Sequence, residues 1–228
     1  MKRLYLTVEG QTEQEFAISV LQGHLAGFNV FLTRPRLTGL HSRWRGRIPS
    51  GGLLHTFGHT LRDIRIWLRE DQSDDARFSM MVDLYHLPHD FPGYEAGMAR
   101  QTGWEQAEAL EQSLSEAVGD ARFIPHLQVH EFEALVLTDA ARIEGLYPAR
   151  AGGISQLDDE CQAYESPEDI NHGHQSHPKA RIFQRVPEYD ENVAGPLLAH
   201  DIGLPRLRAA CPHFGRWLTR LEQLDLPT

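Results

Sequence analysis

Cysteine is scarce in this chain. Cys161 and Cys211 are the only two in 228 residues, too few and too isolated for a disulfide framework or a cysteine zinc site, so both are expected as reduced thiols. Long apolar runs are missing as well. No stretch reaches the roughly 18 apolar residues that span a bilayer, and the N-terminus lacks the apolar core of a secretory signal. A cytoplasmic protein with no membrane partner is expected. Positive charge is outweighed, with 22 Lys and Arg against 32 Asp and Glu for a formal net charge of −10. That balance argues against sequence-independent clinging to nucleic acid over the whole surface.

Local charge differs from the average. Arg34, Arg36, Arg43, Arg45 and Arg47, with His41 and Trp44 among them, form an Arg-rich stretch broken by glycines and Pro49. Forked cations, an aromatic ring and a pliant backbone could hold phosphates and stack a base. A solvated loop pairing with the protein's many acids is the other reading.

The chain is organised around residues 4–16, Leu-Tyr-Leu-Thr-Val-Glu-Gly-Gln-Thr-Glu-Gln-Glu-Phe. Apolar, aromatic and β-branched residues up to Val8 suit a buried strand, and Gly10 permits a sharp turn. Thr12 with Glu15 matches a capping box opening a helix whose buried stripe runs through Phe16, Ile18, Val20, Leu21 and Leu25. Glu9 therefore stands at the carboxyl end of a strand, where open α/β sheets place their ligands, with Glu13 one helical turn on. Alternatively, Glu9 accepts N–H bonds from the turn while Glu13 only favours the positive helix N-terminus.

A second strand is expected over 29–37 and an amphipathic helix over 53–70 carrying Leu54, Phe57, Leu61, Ile64 and Leu68. His55 and His59 lie i, i+4 on that helix; a surface or packing role competes there with a metal. Phe78 to Val82 forms a short strand ending at Asp83, with Asp90 shortly after. If these strands are parallel neighbours, Glu9 and Asp83 meet. Two such carboxylates repel unless one is protonated or a divalent cation lies between them. A metal held by Glu9, Asp83, Glu13 and Asp90 is the expectation.

Residues 104–118 form a clear helix and 123–129 a strand weakened by Pro125. A helix then begins at His130, bringing Glu131 and Glu133 to a third strand-to-helix junction, with Glu131 the one expected to enter the site. The order β-α-β-α-β-α-β-α implies an α/β fold, a mostly parallel sheet with helices on both faces, over residues 1–137. From Thr138 to 228 the chain is mainly helical and is expected to pack on that core as one unit. Helical segments are expected over 140–146, 154–164, 180–186, 196–202 and 204–224. Ser166-Pro167 marks a cap. Residues 171–179 form a polar loop with His172, His174 and His177; a transition-metal site and a plain surface loop are both open. Lys179 and Arg181 could meet a phosphate there.

Val8-Glu9-Gly10-x-Thr12-Glu13, Asp83-x-Tyr85-x-Leu87-Pro88-x-Asp90-Phe91-Pro92-Gly93, Arg122-Phe123-Ile124-Pro125, His130-Glu131-Phe132-Glu133-Ala134-Leu135, Ser166-Pro167-Glu168-Asp169-Ile170-Asn171 and Cys211-Pro212-His213-Phe214 together resemble the bacterial family called domain of unknown function 4276. The resemblance covers nearly the whole chain. That family looks like a variant of the Toprim fold of topoisomerases, primases and OLD-type nucleases. It implies a nuclease dependent on Mg²⁺ or Mn²⁺, with Glu9, Glu13 and Asp83 as metal-holding acids, Glu131 or Glu133 as the later acid and Lys179 as the basic catalyst. Tyr85 stands where the second Asp of the pattern would be, and the lysine is shifted. DNA, RNA or tRNA as substrate, an ABC- or SMC-type ATPase as partner in a phage-defence module, and a homodimer are what the resemblance suggests. A non-catalytic subunit that senses or restrains such an ATPase is the alternative.

Overall fold

Side chains alternate along an apolar strand, so a strand covered on both faces feeds two cores at once. That is the arrangement in the computed structural model, which describes residues 1–38, 56–85, 87–170, 173 and 175–226. β1 (Lys2–Val8) turns at Gly10 into α1 (Gln11–Phe16), which continues through a π-helical turn, Ala17–Leu21, into α2 (Gln22–Ala26). Then come β2 (Val30–Leu32), β3 (Arg36–Leu37), α3 (Phe57–Glu70), β4 (Ala76–Asp83), α4 (Tyr94–Met98) and α5 (Gly103–Val118). β5 (Phe123–Ile124), β6 (Leu127–Gln128) and α6 (Glu133–Val136) complete the α/β part. A 3-10 segment, Leu137–Gly145, leads into a helical region of α7 (Ala151–Cys161), α8 (Pro178–Arg185), α9 (Glu191–Ile202), α10 (Leu204–Ala210) and α11 (Pro212–Glu222).

The sheet runs β2-β1-β4-β5, with β3 also on β1 and β6 also on β4, and every one of these pairings is parallel. Leu4, Leu6 and Val8 share one core with Phe16 and with Phe132, Leu198, Phe214 and Leu218 of the later chain. Phe78, Met80 and Val82 face the other core, against Phe57, Ile64 and Trp67 of α3 and Leu110 and Leu114 of α5. The helical C-terminal region thus buries its apolar face on the same sheet surface as α1. Among the described residues, no helix is long and apolar enough to cross a membrane.

Prolines account for most departures from the expected elements. Pro35 has no N–H to give β1, so the expected strand over 29–37 is two short ones. Pro125 likewise splits 123–129 into β5 and β6. Pro212 interrupts the expected 204–224 segment at Cys211, whose non-helical backbone separates α10 from α11. The N-cap of α1 is Gly10 and not Thr12: the Glu13 carboxylate accepts the Gly10 N–H at 2.7 Å, reaching back over the first turn.

One buried carboxyl fastens α11 to the preceding chain. Glu168, 4% exposed, accepts the His213 N–H at 2.8 Å and the Phe214 N–H at 3.0 Å, two of the free donors of the α11 N-terminus. Glu168→Ala leaves both donors buried and unmet, a cost of about 3 kcal/mol. Thermal unfolding is expected to move down by roughly 10 °C; an unchanged melting temperature would show that water replaces the carboxyl.

Candidate metal centre

β1 and β4 are adjacent and parallel, with Val8 opposite Met81, so the residues just beyond them share one sheet edge. β2 lies on the other side of β1, making this the point where the strand order reverses and a crevice opens. Glu9 and Asp83 meet there as expected: Glu9 Oε2 accepts the Asp83 backbone N–H at 2.7 Å. Asp83 Oδ1 is shut off from solvent and has no hydrogen-bond partner among the described residues. An unpaired carboxylate oxygen in such a place is costly, which marks it as a position for a cation or a proton.

The third junction adds more acid. His130 takes a left-handed backbone conformation, φ +63°, held by its carbonyl accepting the Tyr85 N–H at 2.7 Å and by its ring Nε2 3.0 Å from the Glu168 carbonyl. The helix accordingly starts at Glu133 and not at His130. Glu133 lines the cleft. Glu131, the residue expected to enter it, instead accepts the Lys179 backbone N–H at 2.5 Å and pairs with His177 Nδ1 at 2.7 Å. It acts on the cleft by its charge, which adds to burial, the larger cause, in pushing up the carboxyls of Glu9, Asp83 and Glu133.

Glu9, Glu13, Asp83, Glu133 and Lys179 line one cleft of about 570 Å³ together with Thr38, Glu191 and Asn192. Lys179, one of only two lysines in the chain, pairs its Nζ with Glu191. Burial, then the charge of Glu13, pushes Glu9 up to about 8. Burial and then Glu131 push Glu133 to about 8. Burial also raises Glu13, and burial and Glu9 hold Asp83 well above the usual carboxylate range. So many carboxyls around one lysine cannot all ionise unless a cation joins them.

A family model described as "Domain of unknown function (DUF4276)" matches residues 8–222, a span that includes every cleft carboxylate. The chain belongs to the DUF4276 family. No curated protein and no solved structure matches it.

Several expected site residues of this DUF4276 chain lie elsewhere. Asp90 is not a cleft ligand: its two oxygens accept the Phe57 and Gly58 N–H groups at 2.8 and 3.0 Å, capping α3 from outside the helix. Asp90→Ala is expected to destabilise the fold by about 1 kcal/mol and to leave Mn²⁺ affinity unchanged; weakened Mn²⁺ binding in a titration would return Asp90 to the metal. Arg181 is also turned away, bonded to the Ser176 carbonyl at 2.7 Å and Tyr164 Oη at 3.1 Å. Arg36 lies over the Trp67 ring, 3.9 Å from its centroid, and Arg34 is exposed. Arg43, Trp44, Arg45 and Arg47 lie outside the described residues, as do His55, His172 and His174. His59 is exposed on α3, and Tyr85 stacks on His177 with centroids 4.6 Å apart.

Glu191 and Asn192 escaped the sequence reading. Their helix was expected to start at Pro196, whereas it starts at Glu191, capped by Asp190, which accepts the Asn192 N–H at 3.1 Å. Asp190-Glu191, a capping residue followed by an acid, was the available signal. Gly195 lets α9 close on α1: a Cβ there would stand 3.1 Å from the Thr12 methyl and 3.3 Å from the Phe132 ring.

Proposed function

We propose that the cleft is a Mg²⁺ or Mn²⁺ centre that hydrolyses phosphodiester bonds in nucleic acid. The observation that carries this reading is the Glu9–Asp83 pair at the ends of adjacent parallel strands, with Asp83 Oδ1 buried and unmet. The donor set fits a hard dication, since Glu9, Glu13, Asp83 and Glu133 offer only oxygen. When bound, such an ion polarises a phosphoryl oxygen and lowers the pKa of water.

The chain's own groups supply the rest. A cleft carboxylate not engaged by the ion would take a proton from the attacking water or return one to the leaving oxygen. Lys179 Nζ, released from Glu191, would hold a phosphate oxygen. Leu37 and Thr38, which follow Arg34 and Arg36 in the chain, line the cleft, which supports DNA, RNA or tRNA as the substrate. The Toprim-like resemblance, with its phage-defence context, cytoplasmic setting and ABC- or SMC-type ATPase partner, points the same way.

The test is cleavage of single- and double-stranded DNA, RNA and tRNA with Mg²⁺ or Mn²⁺. Glu9→Gln is expected to lose at least about 100-fold, the rate equivalent of a few kcal/mol of lost charge stabilisation. Equal cleavage by wild type and variant would sink the assignment. The second reading, a non-catalytic subunit of an ATPase, is favoured by Tyr85, which packs on His177 where a second acid of the pattern would stand. Co-purification with such an ATPase and no metal-dependent cleavage would select it.

A further inference from the structure

A second group of metal-binding side chains lies at the β5–β6 edge of the sheet, separate from the acidic cleft. Glu111 of α5, His126 between β5 and β6, and His213 in the first turn of α11 bring their ligand atoms within 4.8 Å of one another. Glu111 Oε1 is 2.8 Å from His213 Nε2 and 3.6 Å from His126 Nδ1. His126 is 1% exposed, stacked on Trp217 with centroids 4.5 Å apart.

The Gln128 side chain favours one nitrogen of His126 as the available one. The Gln128 amide N–H₂ donates to the Val129 carbonyl at 3.5 Å, leaving Gln128 Oε1 facing His126 Nε2 at 3.4 Å. An acceptor at that position favours the proton on Nε2, which leaves Nδ1 with its lone pair. That Nδ1 has no hydrogen-bond partner among the described residues and looks toward a carboxylate oxygen. Two acceptors facing each other in a buried place repel. A proton between them would make an imidazolium cut off from water, an expensive charge to bury. A metal ion satisfies both.

We propose that Glu111, His126 and His213 form a Zn²⁺ site, with water as the fourth ligand, that clasps α11 and α5 to the sheet edge. Two imidazoles and one carboxylate suit Zn²⁺, whereas the all-oxygen cleft suits Mg²⁺ or Mn²⁺. Gln128 orients the His126 ring from behind, as the outer partners of zinc-bound histidines do. The Leu127 N–H, 2.7 Å from Glu111 Oε1, orients the carboxylate. Without metal, His213 Nε2–H donates to Glu111 and Arg216 approaches His213 Nδ1 at 3.1 Å. On zinc binding the His213 proton moves to Nδ1, and Arg216 turns to Glu108 and Trp104, which it already touches.

The experiment is zinc titration of the chelator-stripped full chain against a chromophoric competitor, followed by Co²⁺ substitution. Wild type and Asp83→Asn, which disables the acidic cleft, are expected to bind one zinc per chain alike and to give the intense visible absorption of four-coordinate Co²⁺. His126→Gln is expected to lose at least about 100-fold in affinity, beyond the loss from an outer partner alone, together with that spectrum. If His126→Gln does not fold, Glu111→Gln, at a less deeply buried position, gives the same comparison. Wild type binding zinc no more tightly than these variants, or zinc lost in Asp83→Asn and kept in His126→Gln, overturns the proposal.

Discussion

Asp83→Asn is expected to abolish Mn²⁺ binding in the cleft and, unusually for a buried substitution, to raise the melting temperature of the metal-free protein. The amide matches the carboxyl in shape and leaves the backbone N–H that Glu9 accepts at 2.7 Å untouched. What it removes is a group that folding forces either to keep its proton, against its ordinary tendency, or to ionise among Glu9, Glu13, Glu131 and Glu133. Both options weaken the fold, and the cost vanishes with the charge. A gain of about 1–2 kcal/mol corresponds to an upward shift of roughly 2–8 °C for a chain of this length. The same change removes the negative charge that would hold the ion, so Mn²⁺ should no longer protect the protein against heat, and cleavage should fall by at least about 100-fold. Calorimetry with and without Mn²⁺ reads both. A variant that melts lower than wild type and still gains stability from Mn²⁺ would mean that Asp83 is a structural hydrogen-bonding group and the metal reading fails.

Glu9, Glu13 and Asp83 were legible because each stands at a boundary that local chemistry marks: an acid ending an apolar run, or an acid in the first turn after a glycine. The α/β class was legible for the same reason, strand and helix periods alternating through residue 137. The choice between Glu131 and Glu133 was not, because a left-handed His130 decides it, and that conformation is imposed by contacts with Tyr85 and Glu168 from distant parts of the chain. Asp90 followed an apolar strand and a turn, as a metal ligand would, yet the start of α3, brought alongside by tertiary packing, claims both its oxygens. Glu191 and Asn192 were hidden by a strong but misleading signal, Pro196, since proline favours a first helical turn while here it lies inside α9. The motifs at 166–171 and 211–214, familiar but without a role in the sequence, meet where Glu168 caps α11. No local rule joins residues so far apart.

The cleft also dictates how stability without metal depends on pH. Glu9 and Glu133 keep their protons in the folded state up to about 8, with burial the main cause, while the unfolded chain releases them near the ordinary carboxylate value, about 4.3. Between those limits the folded protein holds more protons than the unfolded one, so stability falls as pH rises, by at most about 1.4 kcal/mol per pH unit for each group. The groups facing one another there are Glu9 from the end of β1, Glu13 from α1, Asp83 from β4, Glu131 and Glu133 at the α6 junction, Lys179 from α8 and Glu191 from α9. Lys179 alone is cationic among them, so it reduces the slope without cancelling it. Melting temperatures of the metal-free protein should therefore decline from about pH 5 to about pH 8, where many proteins are near their maximum. Saturating Mn²⁺ binds the ionised carboxylates and competes with protons, so it should flatten or invert that decline, with protection growing as pH rises. A metal-free melting temperature that is level or rising across this window would show that the carboxyls ionise without penalty, removing the electrostatic reason for a cation in the cleft.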